Sequence, residues 1–232
     1  MTAAGRRGGA ARRPPIEPPL RIEGLPAAPD GAAVLVRAGG RTLGRVDVAA
    51  VAALGLCVGG VLERAGCVAL EAALRRRAAF DAGARLLARR ARTRLGLERR
   101  LREDFGEEAA AAAVTRLAAY LDDRRFARDW VEARLRQRPW GPTALEAGLR
   151  REGVPPALAR EEVARAAPIE AEAELAVRAA RERVGRMGVA APERLRARLW
   201  GYLSRRGFSG AAIAAALRQV LDDPRPMGPR PW

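Results

Sequence analysis

The sequence predicts a mainly α protein, with three tandem three-helix repeats forming an elongated module behind a small β-containing N-terminal lobe. Three observations predict it. Alanine and arginine dominate a chain with few β-branched residues, a composition that favours helix over strand. A Leu-x-x-x-Leu segment followed by a basic or polar stretch and a glycine recurs three times. Strand-like patterning is confined to one stretch near the N-terminus.

The 232 residues carry 43 basic and 27 acidic side chains, a formal charge of +16, and every basic residue is arginine. Lysine, histidine and asparagine are absent. Arginine and alanine codons can be GC-rich, so the bias by itself says little about function. The absences say more. Without histidine there is no Ser-His-Asp or Cys-His catalysis and no His-ligated zinc. Without lysine there is no Schiff base and no P-loop lysine. A non-enzymatic protein without metal or cofactor is expected, and the positive balance points to a polyanion or an acidic protein surface. Cys57 and Cys67 are expected as two buried, reduced thiols of a cytoplasmic protein.

From the N-terminus, residues 1–19 hold Arg6, Arg7, Arg12 and Arg13 among Gly and Pro and read as a disordered basic tail. No apolar core follows those arginines, so they are not an ordinary secretory signal. Residues 20–62 form the β-containing lobe. Val34–Arg37 and Thr42–Val46 flank Ala38-Gly39-Gly40 as a hairpin, and Asp47 caps a short helix through Leu54. So small a sheet needs packing on a neighbour. The apolar run Val48–Leu62, broken by Gly55, Gly59 and Gly60, is too short to span a bilayer.

The repeats occupy 63–121, 122–167 and 168–222, and a Pro-rich tail expected to be disordered fills 223–232. Their leucine pairs are Leu97/Leu101, Leu145/Leu149 and Leu199/Leu203, spaced 48 and 54 residues apart. The glycines Gly106, Gly153 and Gly207 stop each helix, with arginines in the last turns complementing the dipole. A second helix then opens at Glu107-Glu108, at Pro155-Pro156, or behind Ser209 as N-cap.

Repeat two begins with Leu121-Asp122-Asp123 and carries Phe126 and Trp130 one turn apart. The aspartates cap and complement a helix start, and the aromatics belong to the core. No nucleophile or further ligand accompanies the two carboxylates, so acid–base or metal chemistry is rejected. Arg125–Asp129 and Arg128–Glu132 read as solvated i,i+4 pairs. Arg134 falls inside the apolar arc. It needs a carboxylate or carbonyl on another element, the favoured reading, or else a partner molecule. Pro139 ends the helix and Thr143 caps the next, leaving Arg134, Arg136, Arg138, Arg150 and Arg151 clustered about the turn. The densest block, Arg75–Arg102, holds eleven arginines against Asp81 and Glu98 and reads either as the solvated face of a long helix or, slightly favoured, as a polyanion contact. Residues 103–123 reverse the sign and offer that block an internal counter-charge.

These residues together resemble the RecX family, regulators of the RecA recombinase. The likeness rests on Leu121-Asp122-Asp123-x-x-Phe126-Ala127, Arg134, Gly141-Pro142 and Leu145…Leu149-Arg150-Arg151-Glu152-Gly153-Val154. It extends back through Ala84–Leu87, Arg92-Thr93-Arg94 and Leu97…Leu101, and forward through the third repeat; Leu56-Cys57-Val58-Gly59 resembles an N-terminal extension some members carry. Ala119 stands where members have glycine before the tyrosine, and Phe105-Gly106 inverts the usual order. The resemblance implies a non-enzymatic, monomeric regulator, inhibitory in sign. It would lie in the groove of the RecA–DNA filament and meet RecA together with single-stranded or double-stranded DNA. Candidate contacts to RecA or DNA are Arg75, Arg76, Arg77, Arg89, Arg90, Arg134, Arg136, Arg138, Arg150 and Arg151. Leu121, Asp122, Asp123, Phe126, Trp130, Gly141, Pro142 and Gly153 are the structural residues of the motif. The alternative is a stand-alone basic DNA-binding protein using a helix-turn-helix-like repeat, recognisable by a salt-sensitive shift with DNA alone that RecA does not alter.

Overall fold

A computed structural model describes residues 15–187 and 191–221. The expected tails therefore lie outside the described residues, apart from 15–19. There the expectation of disorder is corrected: the Ile16 amide donates to the Glu71 carboxylate at 2.7 Å, and its side chain packs against the lobe core. The chain divides into two compact units, one ending at Leu121 and the other beginning at Asp122.

The first unit opens with four antiparallel strands, β1 (Leu20–Gly24), β2 (Ala33–Ala38), β3 (Arg41–Asp47) and β4 (Val61–Leu62), in the order β3-β2-β1-β4. Ala38 pairs with Arg41 across the Gly39-Gly40 turn, whose positive φ values match the twist of a tight hairpin. The inward face of this small sheet, including Ile22, Val36 and Val46, is sealed by Leu70, Ala73 and Leu74. Those three belong to α2 (Arg64–Arg89), which follows the short α1 (Val48–Ala53). The second half of α2 packs on α3 (Arg94–Phe105) and α4 (Glu107–Arg116) around Ala79, Leu97, Leu101, Ala110 and Leu117. The basic block is thus not one long helix. α2 ends at Arg89, and the Thr93 hydroxyl caps α3 by accepting the Gly96 amide at 2.9 Å.

Two further expectations for this unit need correction. Asp47 sits at the N-cap of α1 but makes no capping bond, because its carboxylate is taken by Arg77 at 2.8 Å and Arg116 at 2.7 Å. Cys67 is buried and its Sγ donates to the Leu62 carbonyl at 3.4 Å, with burial pushing its pKa up; Cys57 is exposed.

The second unit holds two three-helix repeats: α5 (Asp123–Gln137), α6 (Pro142–Glu152) and α7 (Pro156–Ala166), then α8 (Ile169–Val184), α9 (Pro192–Arg205) and α10 (Gly210–Leu221). The leucine pairs that mark all three repeats are each at most 1% exposed, because i,i+4 places both on the inner stripe of their helix. Gly106, Gly153 and Gly207 adopt φ of +81°, +95° and +78° behind α3, α6 and α9. Asp122 caps α5 by accepting the Arg125 amide at 2.9 Å, and Phe126 and Trp130 pack against the repeat core. The Ser209 hydroxyl accepts the Ala212 amide at 3.3 Å while Glu172 receives the Ser209 amide and hydroxyl. Thr143 is not a cap: Gly141 holds that position and Pro142 fills the first turn of α6.

Candidate polyanion-binding groove

α5 ends beside its neighbour repeat, and that ending builds the site. The Gly141 amide donates to the Arg206 carbonyl at 2.9 Å, and the Thr143 amide to the Gly207 carbonyl at 3.2 Å. The Arg206 guanidinium donates to the Pro139 carbonyl at 2.9 Å and stacks on Trp140 at 4.7 Å. These backbone hydrogen bonds and the Arg206 guanidinium stacked on Trp140 hold the α5–α6 turn against the α9–α10 turn.

Between the repeats this docking leaves a groove of about 750 Å³, walled by α5, α7 and α8. Arg136, Arg138, Arg165 and Arg178 line it, opposed by Glu132 and Glu182, with Leu135 and Leu175 among its apolar groups. Arg136 lies 3.7 Å from Glu132, one turn back on the same helix. Arg178 reaches the Leu135 carbonyl at 3.5 Å, and Arg165 pairs with Glu162 at 2.9 Å. The groove thus has a modest positive excess, with half its guanidiniums tethered by internal acids.

One tether belongs to a larger network. Glu162 is fully buried, and three arginines reach its carboxyl: Arg124 at 2.9 Å, Arg128 at 3.5 Å and Arg165. Arg124 also pairs with Glu161, which holds the Glu161 carboxyl below its ordinary value. The expected Arg128–Glu132 pair gives way to this arrangement, whereas Arg125–Asp129 is present at 3.8 Å. A buried carboxylate outcompetes an exposed one because leaving it unpaired costs more.

The predicted contact residues fall into distinct places. Arg77 is corrected outright. It is 3% exposed and tied to Asp47, Asp81 at 3.0 Å, Asp30 at 3.2 Å and the Ala32 carbonyl. It joins the sheet to α2 and presents nothing to a ligand. Arg76 pairs with Glu108 at 2.9 Å, while Arg75, Arg89 and Arg90 are exposed on the first unit. The favoured reading of Arg134 also fails, because its partner is the Trp130 ring one turn earlier, 4.8 Å away, and not a carboxylate or carbonyl elsewhere. Arg150 and Arg151 are exposed in the last turn of α6 and do not line the groove. Arg165 and Arg178 do, and sequence reasoning missed them because nothing local marks which helix ends converge.

A small antiparallel lobe fused to tandem three-helix units, with arginines displayed at the helix ends, defines an arginine-rich helical-repeat protein. Comparison with known proteins narrows the class. The model of the second three-helix domain of RecX matches residues 122–162, and that of the third matches 170–217. Regulatory protein RecX of Halorhodospira halophila is 34% identical over 156 residues, covering 66% of this chain and 94% of the relative. That of Amycolatopsis mediterranei is 33% identical, covering 59% and 79%. That of Thermus thermophilus is 47% identical over 79 residues; there the chain spans about half the relative, 54% of its length. Two solved structures share the fold at 20% identity. A crystal structure of regulatory protein RecX aligns with a TM-score of 0.63 over 88% of this chain and 99% of its own. That of RecX from Lactobacillus salivarius aligns at 0.55 over 64% and 97%. The chain belongs to the RecX family.

Proposed function

We propose that this chain regulates a RecA recombinase, as an inhibitor, by binding as a monomer in the groove of the RecA–DNA filament. There it modulates ATP hydrolysis, strand exchange and filament assembly, in DNA repair and the SOS response of the cytoplasm. The observation that carries this reading is membership of the RecX family, whose matched repeats make up the second unit. The physical character of that unit supports it. The backbone-locked junction fixes the spacing of two arginine-bearing helix ends, which is what a partner with a regular repeat demands. The mechanism is non-covalent: the chain competes for, or props apart, surfaces that filament growth needs. Among the described residues no helix is long and apolar enough to cross a membrane.

The test is RecA-dependent ATP hydrolysis and strand exchange on single-stranded DNA, with this protein titrated in. Inhibition at stoichiometric or lower amounts is expected, and no effect at stoichiometric amounts sinks the reading.

A further inference from the structure

A second groove lies wholly within the third repeat and differs in kind from the first. Its volume is about 540 Å³, and Arg183, Arg186, Arg198 and Arg205 line it with Tyr202, Gly201, Ala197 and Met187. No carboxylate is among its described lining residues, and among the described residues none of those four guanidiniums forms an ion pair. In a protein where Glu162 alone gathers three arginines, four uncompensated ones around one hollow stand apart.

Their placement follows from the helices. Leu195, Leu199 and Leu203 turn one face of α9 inward; Arg194, Arg198, Gly201 and Arg205 fall within an arc of roughly 60° on another. Arg198 and Arg205 are about 10 Å apart along the axis. Gly201 between them leaves the helix surface bare, and a Cβ there would meet the Arg205 Nη1 at 3.2 Å. From the facing helix, Arg183 and Arg186 emerge at the C-terminus of α8, where cations complement the dipole. Arg183 does not wave free, because its guanidinium stacks on Tyr202 at 5.3 Å, the ring that also carries Arg206 at 5.0 Å. A held guanidinium loses less freedom on binding.

We propose that this α8–α9 groove is a phosphate-backbone site for a single nucleic-acid strand. The planar fork of arginine fits the non-bridging oxygens of a phosphodiester in pairs. A hollow of about 540 Å³ seats one sugar-phosphate backbone. Clustered arginines also attract acidic peptides, but a peptide's carboxylates hang on flexible side chains that must each be ordered, whereas a strand carries its phosphates in the backbone itself. For the rest of a peptide this groove offers only Met187, Ala197 and the rim of Tyr202. The site acts without RecA, so it stands or falls separately from the regulatory reading.

The experiment is fluorescence anisotropy of a labelled single-stranded oligonucleotide with the full chain alone, across a salt series. Each neutralised phosphate contributes about −0.7 to the slope of log K against log salt. The variant Arg183→Gln/Arg186→Gln/Arg198→Gln/Arg205→Gln should therefore bind at least about tenfold more weakly, with the slope shallower by about 2 to 3. Arg37→Gln/Arg41→Gln/Arg99→Gln, exposed in the first unit and outside both grooves, should keep most of it. If the fourfold variant does not fold by circular dichroism, Arg198→Gln/Arg205→Gln on exposed α9 positions should lose about half as much slope. An unchanged slope in the folded variant overturns the proposal. Equal displacement by polyglutamate at matched ionic strength overturns the nucleic-acid assignment, as does saturation of the site by millimolar inorganic phosphate.

Discussion

Gly141 and Gly207 meet backbone to backbone: a Cβ built on Gly141 would overlap the Gly207 carbonyl, while the neighbouring Arg206 carbonyl receives the Gly141 amide at 2.9 Å. Gly207 itself sits at φ +78°, and a Cβ there would collide with Ala144. Two glycines from different repeats are thus required by each other as much as by their own turns. Gly141→Ala should destabilise the second unit by about 2–3 kcal/mol through forced separation of the two turns. Gly185→Ala, at a φ of −58° with only ordinary contact to the Arg181 carbonyl, should stay within about 0.5 kcal/mol. Urea unfolding of both variants checks the contrast.

Glu162 anchors α7 to α5 through Arg124 and Arg128 and also holds Arg165 of its own helix, all three arginines being 43–50% exposed. Because those arginines can each turn to water, Glu162→Ala should cost about 2–3 kcal/mol, at or below the roughly 3–5 kcal/mol of breaking a fully buried pair. Arg165→Ala leaves Glu162 two partners and should cost under about 1 kcal/mol. Equal losses in the two variants, measured by denaturant midpoint, would show that the network is not centred on the carboxylate.

In the first unit, Arg77→Ala removes the buried guanidinium that ties Asp47, Asp81 and the Ala32 carbonyl together, leaving Asp47 on Arg116 and Asp81 on Arg45, and should lower stability by about 1–3 kcal/mol while leaving nucleic-acid binding untouched. A loss of binding without a loss of stability would restore Arg77 to the contact surface.

Burial raises the Asp47 carboxyl, but bonds from Arg77 and Arg116 outweigh it and hold it below the ordinary 3.8; the Arg45 bond does the same for Asp30. A depressed carboxyl contributes stability that is complete above its unfolded value and is lost as pH falls through the folded one. The chain has no histidine, so stability should be nearly flat from about pH 5 to 8 and fall below about pH 4. Asp47→Asn should flatten part of that acid limb in a pH series of melting temperatures.

Arg136→Glu with Arg138→Glu should weaken action on the RecA–DNA filament with helicity unchanged, because both line the inter-repeat groove. Arg134→Ala removes only a stack on an indole and should cost about 0.5–1 kcal/mol. Thermal melting with parallel ATPase titration separates the two.

Much of the fold was legible locally. The leucine pairs, the glycine stops, the Asp122 and Ser209 caps and the Gly39-Gly40 hairpin all act through neighbours within a few residues, so their spacing carries the information. Thr143 misled because a glycine-proline pair just before it starts the helix without a side-chain cap. Arg77 misled because its three acidic partners are 4 to 47 residues away and only the sheet brings two of them close. The candidate sites were less legible still. Charge density favoured Arg75–Arg102, whereas the grooves gather arginines such as Arg165, Arg178, Arg183 and Arg198 from separate helices.

By itself the sequence determined that the chain builds helices in three repeats behind a small sheet, that its cations are all arginine, and that histidine and lysine chemistry is absent. Those are properties of composition and of spacing within a turn or two. Only the tertiary structure decided which arginines are spent on buried carboxylates and which remain for a ligand. That division depends on where acids from distant segments arrive, since a guanidinium within reach of a desolvated carboxylate is held there and one without such a neighbour stays open to a polyanion.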